Sequence, residues 1–235
     1  MRSNKLLCIN VPETKVSRDP HTIEEIHRGA RYKRASRIAT EFEQGFRFIR
    51  RFHKSVTIYG SARIKSSNPH YTDARALAHR LAKLGYTIVT GGGPGIMEAA
   101  NRGAKEAGGI SVGLNIELPH EQIVNPYVTE SMSFFYFFSR KTALSFSAET
   151  YIFFPGGFGT LDEFFEIITL IQTKKIPKVP VVLVGSDFWK PLDEFIREEV
   201  YLKHSAIEKK DMSLYTITDD HDEVVRIVTQ APVRP

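Results

Sequence analysis

From Ser55 onward the chain alternates short runs rich in β-branched and aromatic residues with longer stretches of helical period. That alternation leaves few architectures open, because it is the pattern of parallel strands joined by crossover helices. Strands are expected at Ser55–Tyr59, Tyr86–Thr90, Ile110–Asn115, Thr150–Phe154, Val179–Val184 and Leu214–Ile217. Helices are expected at about Tyr71–Leu84, Gly95–Ala107, Ser133–Phe146, Leu161–Thr173, Phe188–Val200 and Asp220–Gln230. Tyr151-Ile152-Phe153-Phe154 and Val181-Val182-Leu183-Val184 are unbroken apolar runs, as strands covered on both faces require. The expected fold is α/β, a Rossmann-like doubly wound parallel sheet over residues 55–235, with a basic N-terminal helical arm over residues 1–54.

Net charge is +5, and dividing it along the chain locates its source. Residues 1–54 hold 13 Lys and Arg against 6 Asp and Glu, whereas the remainder hold 19 against 21. The excess therefore belongs to the arm, where Ile38, Phe42, Phe46 and Ile49 recur at helical spacing. The arm reads as an amphipathic helix docked on the body or on a second subunit, and no nucleic-acid partner is expected. Cys8 is the only cysteine, and no apolar stretch of signal-peptide type opens the chain. Both point to the cytoplasm. The run Phe134–Phe138 is far below the roughly 20 residues of a membrane span, so no membrane partner is expected either. No His and Cys stand at metal-ligand spacing, so neither a metal nor a cofactor is expected.

In an open parallel sheet ligands bind beyond the carboxyl ends of the strands, and three loops there carry candidate chemistry. Gly60-Ser61-Ala62-Arg63 follows a strand; Ser61 and Arg63 can donate to an anion, and a plain strand-end turn fits as well. Gly91-Gly92-Gly93-Pro94-Gly95 joins a strand to a helix, a junction that aims backbone N–H groups at one point, with Gly92, Gly93 and Gly95 as the candidate cradle. The dinucleotide fingerprint would need glycine at Ile96, and no phosphate-loop Gly-Lys-Ser/Thr occurs, which favours a mononucleotide-sized anion over NAD or ATP.

The third loop, Pro155-Gly156-Gly157-Phe158-Gly159-Thr160-Leu161-Asp162-Glu163, again opens a helix. Its glycines and Thr160 can form a nest of donors for phosphate. Thr160-x-x-Glu163 is also the capping-box pattern, so Glu163 fits equally a helix cap or a reacting carboxylate. Leu161, Phe164, Phe165, Ile168 and Ile171 make the expected buried stripe, with Glu163 and Glu166 one turn apart on the other side. Two carboxylates beside an anion call for a cation, and Arg140-Lys141 supplies it: Lys141 to neutralise phosphate, Arg140 to clamp it or orient the carboxylate.

At these residues the sequence resembles the Lonely Guy family of nucleoside-monophosphate phosphoribohydrolases, marked by P-G-G-x-G-T-x-x-E, an upstream Arg-Lys pair and a G-G-G-x-x-G-type loop. Pro155–Glu163, Arg140-Lys141 and Gly91–Met97 stand in that order. The resemblance implies hydrolysis of the N-glycosidic bond of AMP or of a cytokinin riboside 5′-monophosphate, and subunits that pair as a homodimer or higher oligomer. It implies that Arg140 and Glu163 are catalytic, that Lys141 and Gly156, Gly157, Phe158, Gly159 and Thr160 grip phosphate, and that Glu121 meets the ligand. Phe158 replaces the usual tyrosine, and the arm is absent from short plant-type members. The alternative is a nucleotide or molybdenum-cofactor carrier, which needs the glycines but not the Arg140 and Glu163 pair.

Overall fold

The computed structural model describes residues 20–117 and 124–232, with side chains from residue 32 onward. Cys8 and Glu121 lie outside the described residues. The chain divides into two units, residues 1–40 and 41–235. The described part of the first is the opening of one helix, α1 (Pro20–Ile49).

The second unit carries a sheet in which all pairings are parallel, of β1 (Ser55–Tyr59), β2 (Thr87–Thr90), β3 (Ser111–Ile116), β4 (Glu130–Phe134), β5 (Thr150–Phe153), β6 (Val181–Leu183) and β7 (Thr216–Ile217). Their spatial order is β4-β3-β2-β1-β5-β6-β7. Neighbouring residues along a strand face opposite layers. Val56, Ile58, Ile152 and Phe154 enter one core, under α2 (Pro69–Lys83), α3 (Ile96–Glu106) and α7 (His221–Gln230). Tyr59, Tyr151 and Phe153 enter the other, with α4 (Phe137–Ser145), α5 (Phe158–Gln172) and Trp189 of α6 (Ser186–Phe195).

The last turns of α1, from Glu41, belong to this unit: Ile49 is in the core, Phe46 meets Phe146 edge-on at 5.8 Å, and Phe42 lies 6.1 Å from Phe138. Gly45 permits the approach, since a Cβ there would stand 3.0 Å from the Phe134 ring.

The expected α/β architecture is present, with four local corrections. Residues 130–134 form an edge strand, and the helix expected from Ser133 starts at Phe137. Exposed Ser131 and Ser133 alternate with Glu130, Met132 and Phe134, a pattern that suits a strand with one covered face, and the aromatic run straddles the turn after it. The helix expected from Leu161 starts three residues earlier, at Phe158. Ile167 takes the buried position assigned to Phe165, which is 42% exposed. The helix expected through Val200 changes at Ile196 into a π-helical stretch, Ile196–Lys203.

Candidate active site

Strand order reverses between β1 and β5, so the loops beyond their ends diverge and leave a crevice. The N–H of Ser61 bonds to the carbonyl of Pro155 at 3.0 Å and ties the two loops together at its floor. Above lies a cavity of about 660 Å³, walled by Tyr59–Arg63 after β1 and by Gly157–Leu161 and Glu163 of α5. Arg140 and Phe137 of α4, Gly91, Met97 and Ile116 complete it.

The first turn of α5 forms one wall. Gly157 is its N-cap and offers no side chain, so the opening amides of the helix have no capping acceptor from it. A Cβ at Gly157 or Gly159 would meet nothing within 4 Å, which leaves that backbone open to a ligand, while Gly156 is held against Thr160. Phe158 stands 93% exposed at the mouth.

Because the helix begins at Phe158, Thr160 is its third residue rather than its cap, and Thr160-x-x-Glu163 forms no capping box. Glu163 instead faces the cavity. Burial pushes its carboxyl up to about 7; Arg140 and Lys141 pull it down, while Asp162 and Glu166 push it up. Desolvation thus outweighs the cation beside it.

Burial also lowers the Arg140 guanidinium from its ordinary range, with Glu163 and Tyr59 opposing. Its Nε donates to the carbonyl of Leu114 at 2.7 Å, which fixes the group from the β3 side. The Tyr59 hydroxyl, in a residue only 3% exposed, has no hydrogen-bond partner among the described residues. Burial first, then Glu163, raises its pKa well above 10, so it remains a neutral donor.

Of the residues singled out in the sequence, Gly60, Ser61, Arg63, Arg140, Gly157, Phe158, Gly159, Thr160 and Glu163 line this cavity together. Lys141, Gly92, Gly93, Gly95, Gly156 and Glu166 do not. Lys141 pairs with Asp162 at 2.7 Å and Glu166 at 3.5 Å, and Glu166 also accepts from Ser145. The lysine thus neutralises its neighbours' carboxylates. Gly92 and Gly93 give their carbonyls to the buried Asn125 side chain. Gly95, at φ 70°, lets Ile96 N–H reach the carbonyl of Ser61 at 3.1 Å. That second loop is a brace behind the wall. Tyr59, Met97, Ile116, Phe137 and Leu161 also line the cavity, although the sequence did not mark them as site residues; the position of Tyr59 at the end of a strand, just before Gly60, was the available signal.

A family model described as "Possible lysine decarboxylase" matches residues 97–228. The chain is 27% identical over 163 residues to the cytokinin riboside 5′-monophosphate phosphoribohydrolase of Rhodococcoides fascians, covering 66% of this chain and 77% of that one. It is 29% identical over 171 residues to the pyrimidine/purine nucleotide 5′-monophosphate nucleosidase of Escherichia coli, covering 66% of this chain but only 36% of that protein. A molybdenum cofactor carrier protein from Chlamydomonas reinhardtii shares the fold, at TM-score 0.56 and 22% identity, over 75% of this chain and 96% of that one.

Proposed function

Since the chain belongs to the Lonely Guy family, whose model bears the lysine decarboxylase description, we propose that it hydrolyses the N-glycosidic bond of nucleoside 5′-monophosphates, releasing base and ribose 5-phosphate. The observation that carries this reading is the placement of Glu163 and Arg140 in one cavity with the uncapped first turn of α5.

The opening amides of α5, with Ser61 and Arg63, hold the 5′-phosphate, and the anomeric carbon then faces Glu163. As the base leaves, positive charge grows on the ribose, which a buried carboxylate stabilises strongly. Ionised Glu163 takes a proton from water while the water oxygen bonds to the anomeric carbon. The electron pair of the broken bond departs with the base, which takes up one proton from solvent as Glu163 releases its own, so that one water is consumed and Glu163 returns to the ionised form. Arg140 tempers the field on Glu163, and the Tyr59 hydroxyl offers the water a donor.

A decarboxylase of the pyridoxal type requires a lysine at the reacting centre. Among the described residues no lysine lines this cavity, so the residues do not fit that cofactor. The preference for AMP or a cytokinin riboside monophosphate belongs to the same proposal, as does pairing of subunits, supported by Phe137 and Phe158 exposed at the cavity mouth.

The test is release of free base, followed by chromatography, from AMP, GMP, CMP, UMP and isopentenyl-AMP. Equimolar base and ribose 5-phosphate are expected. Nucleotides that bind but release no base would point to a carrier instead.

A further inference from the structure

Helix α4, which carries Arg140, begins without a side-chain cap of its own: its N-cap is Tyr136, which supplies none. The missing acceptor comes from α1, 95 residues earlier. The Glu41 carboxylate accepts the backbone N–H of Phe135 at 2.7 Å and of Tyr136 at 3.2 Å, and it also accepts from the hydroxyl of Ser139. Glu41 is only 9% exposed. A carboxylate at a helix N-terminus satisfies orphaned amides and meets the positive end of the macrodipole, which offsets the cost of its burial.

The capped turn leads directly to the site. Tyr136, whose N–H Glu41 holds, returns its carbonyl to the N–H of Arg140 at 3.2 Å, and the Arg140 guanidinium then bonds to Leu114. Around this contact α1 is seated by Gly45 against Phe134 and Ala143, and by Phe42 and Phe46 against Phe138 and Phe146. We propose that Glu41 is a positioning residue for the hydrolase: through the first turn of α4 it sets Arg140 over the cavity, which makes the end of the arm helix part of the working site. This rests on the reading of Arg140 and Glu163 given above.

If the cap is lost, the first turn of α4 loosens and Arg140 withdraws. Glu163 then keeps its burial and the push of Asp162 and Glu166, with Lys141 beside it and Arg63 across the cavity as cations and Tyr59 as a neutral donor. Its carboxyl would titrate higher. The experiment uses the full chain with Glu41→Ala, Glu41→Gln and Gly45→Leu, reading kcat and KM for AMP across pH, and amide hydrogen exchange.

Glu41→Ala is expected to lower kcat roughly tenfold with KM little changed, and to move the acid limb of the profile to higher pH. Exchange at Tyr136 and Arg140 should accelerate roughly tenfold. Glu41→Gln, which keeps one carbonyl acceptor, should recover part of both, and Gly45→Leu, which lifts the helix, should repeat the alanine signature. If Glu41→Ala fails to fold, those two variants carry the test. Unchanged exchange and an unchanged pH profile in folded variants overturn the proposal. A parent protein that releases no base would sink the hydrolase reading instead, while exchange still decides whether Glu41 holds the turn.

Discussion

The backbone of Gly91 lies against the guanidinium of Arg140 so closely that a single methyl at position 91 would overlap Nη2. Met97 Sδ, 2.9 Å from the same methyl position, closes the other side, so the arginine would have to give way. Gly91→Ala is expected to cut base release by about tenfold or more, since small displacements of a positioned group are costly. Circular dichroism should be unchanged, and a fully active variant would show that the placement of Arg140 does not matter.

Activity should follow the titration of Glu163. With its carboxyl near 7, kcat/KM is expected to fall about tenfold per pH unit below that value, because the working form is the ionised one. A profile flat from pH 5 to 8 would remove Glu163 as the base. Glu163→Gln should lower kcat roughly 100-fold or more.

The same shift has a consequence for stability. A carboxyl near 7 in the fold and near 4.5 when unfolded binds more protons folded, so stability is lost as pH rises through that window. The loss is at most about 3 kcal/mol, less where solvent screens it. Glu163→Gln should therefore melt higher than the parent at pH 8 and close to it at pH 4, as differential scanning calorimetry can check.

Tyr59→Phe removes a hydroxyl that has no hydrogen-bond partner among the described residues. Deleting an unsatisfied buried group is neutral to stabilising, by up to about 1 kcal/mol. If that hydroxyl steadies the attacking water, kcat falls while KM and the fold are kept. A variant with the parent's kcat would assign Tyr59 to the core alone.

Lys141→Met separates two roles. If the lysine serves to neutralise Asp162 and Glu166, KM for AMP stays nearly constant and the acid limb shifts upward, because Glu163 loses one of the cations lowering its pKa. If it grips phosphate, KM rises steeply and the shift is small.

The sheet was legible because Tyr151–Phe154 and Val181–Val184 are unbroken apolar runs of the kind doubly covered strands carry, and because short β-branched stretches alternate with helical ones. β4 was not, since a half-polar edge strand of five residues abuts an aromatic run that suits a helix equally well. Glu163 stood out by its spacing from Thr160, yet the choice between cap and cavity turned on whether α5 starts at Phe158 or Leu161, a shift of three residues. No local pattern could join Glu41 to Tyr136 or Lys141 to Asp162. Those partnerships arise only when distant helices come together.

The reversal of strand order between β1 and β5 also governs when a ligand can first be recognised. The two rims of the crevice are synthesised about 95 residues apart, and Ser61 cannot meet Pro155 until β5 has inserted beside β1. A nascent chain that has built β1 to β4 owns one lip and no opposing helix. Under the proposed function, nucleotide affinity would require both rims to be in place, and a bound nucleotide would clasp the two halves of the sheet at their seam.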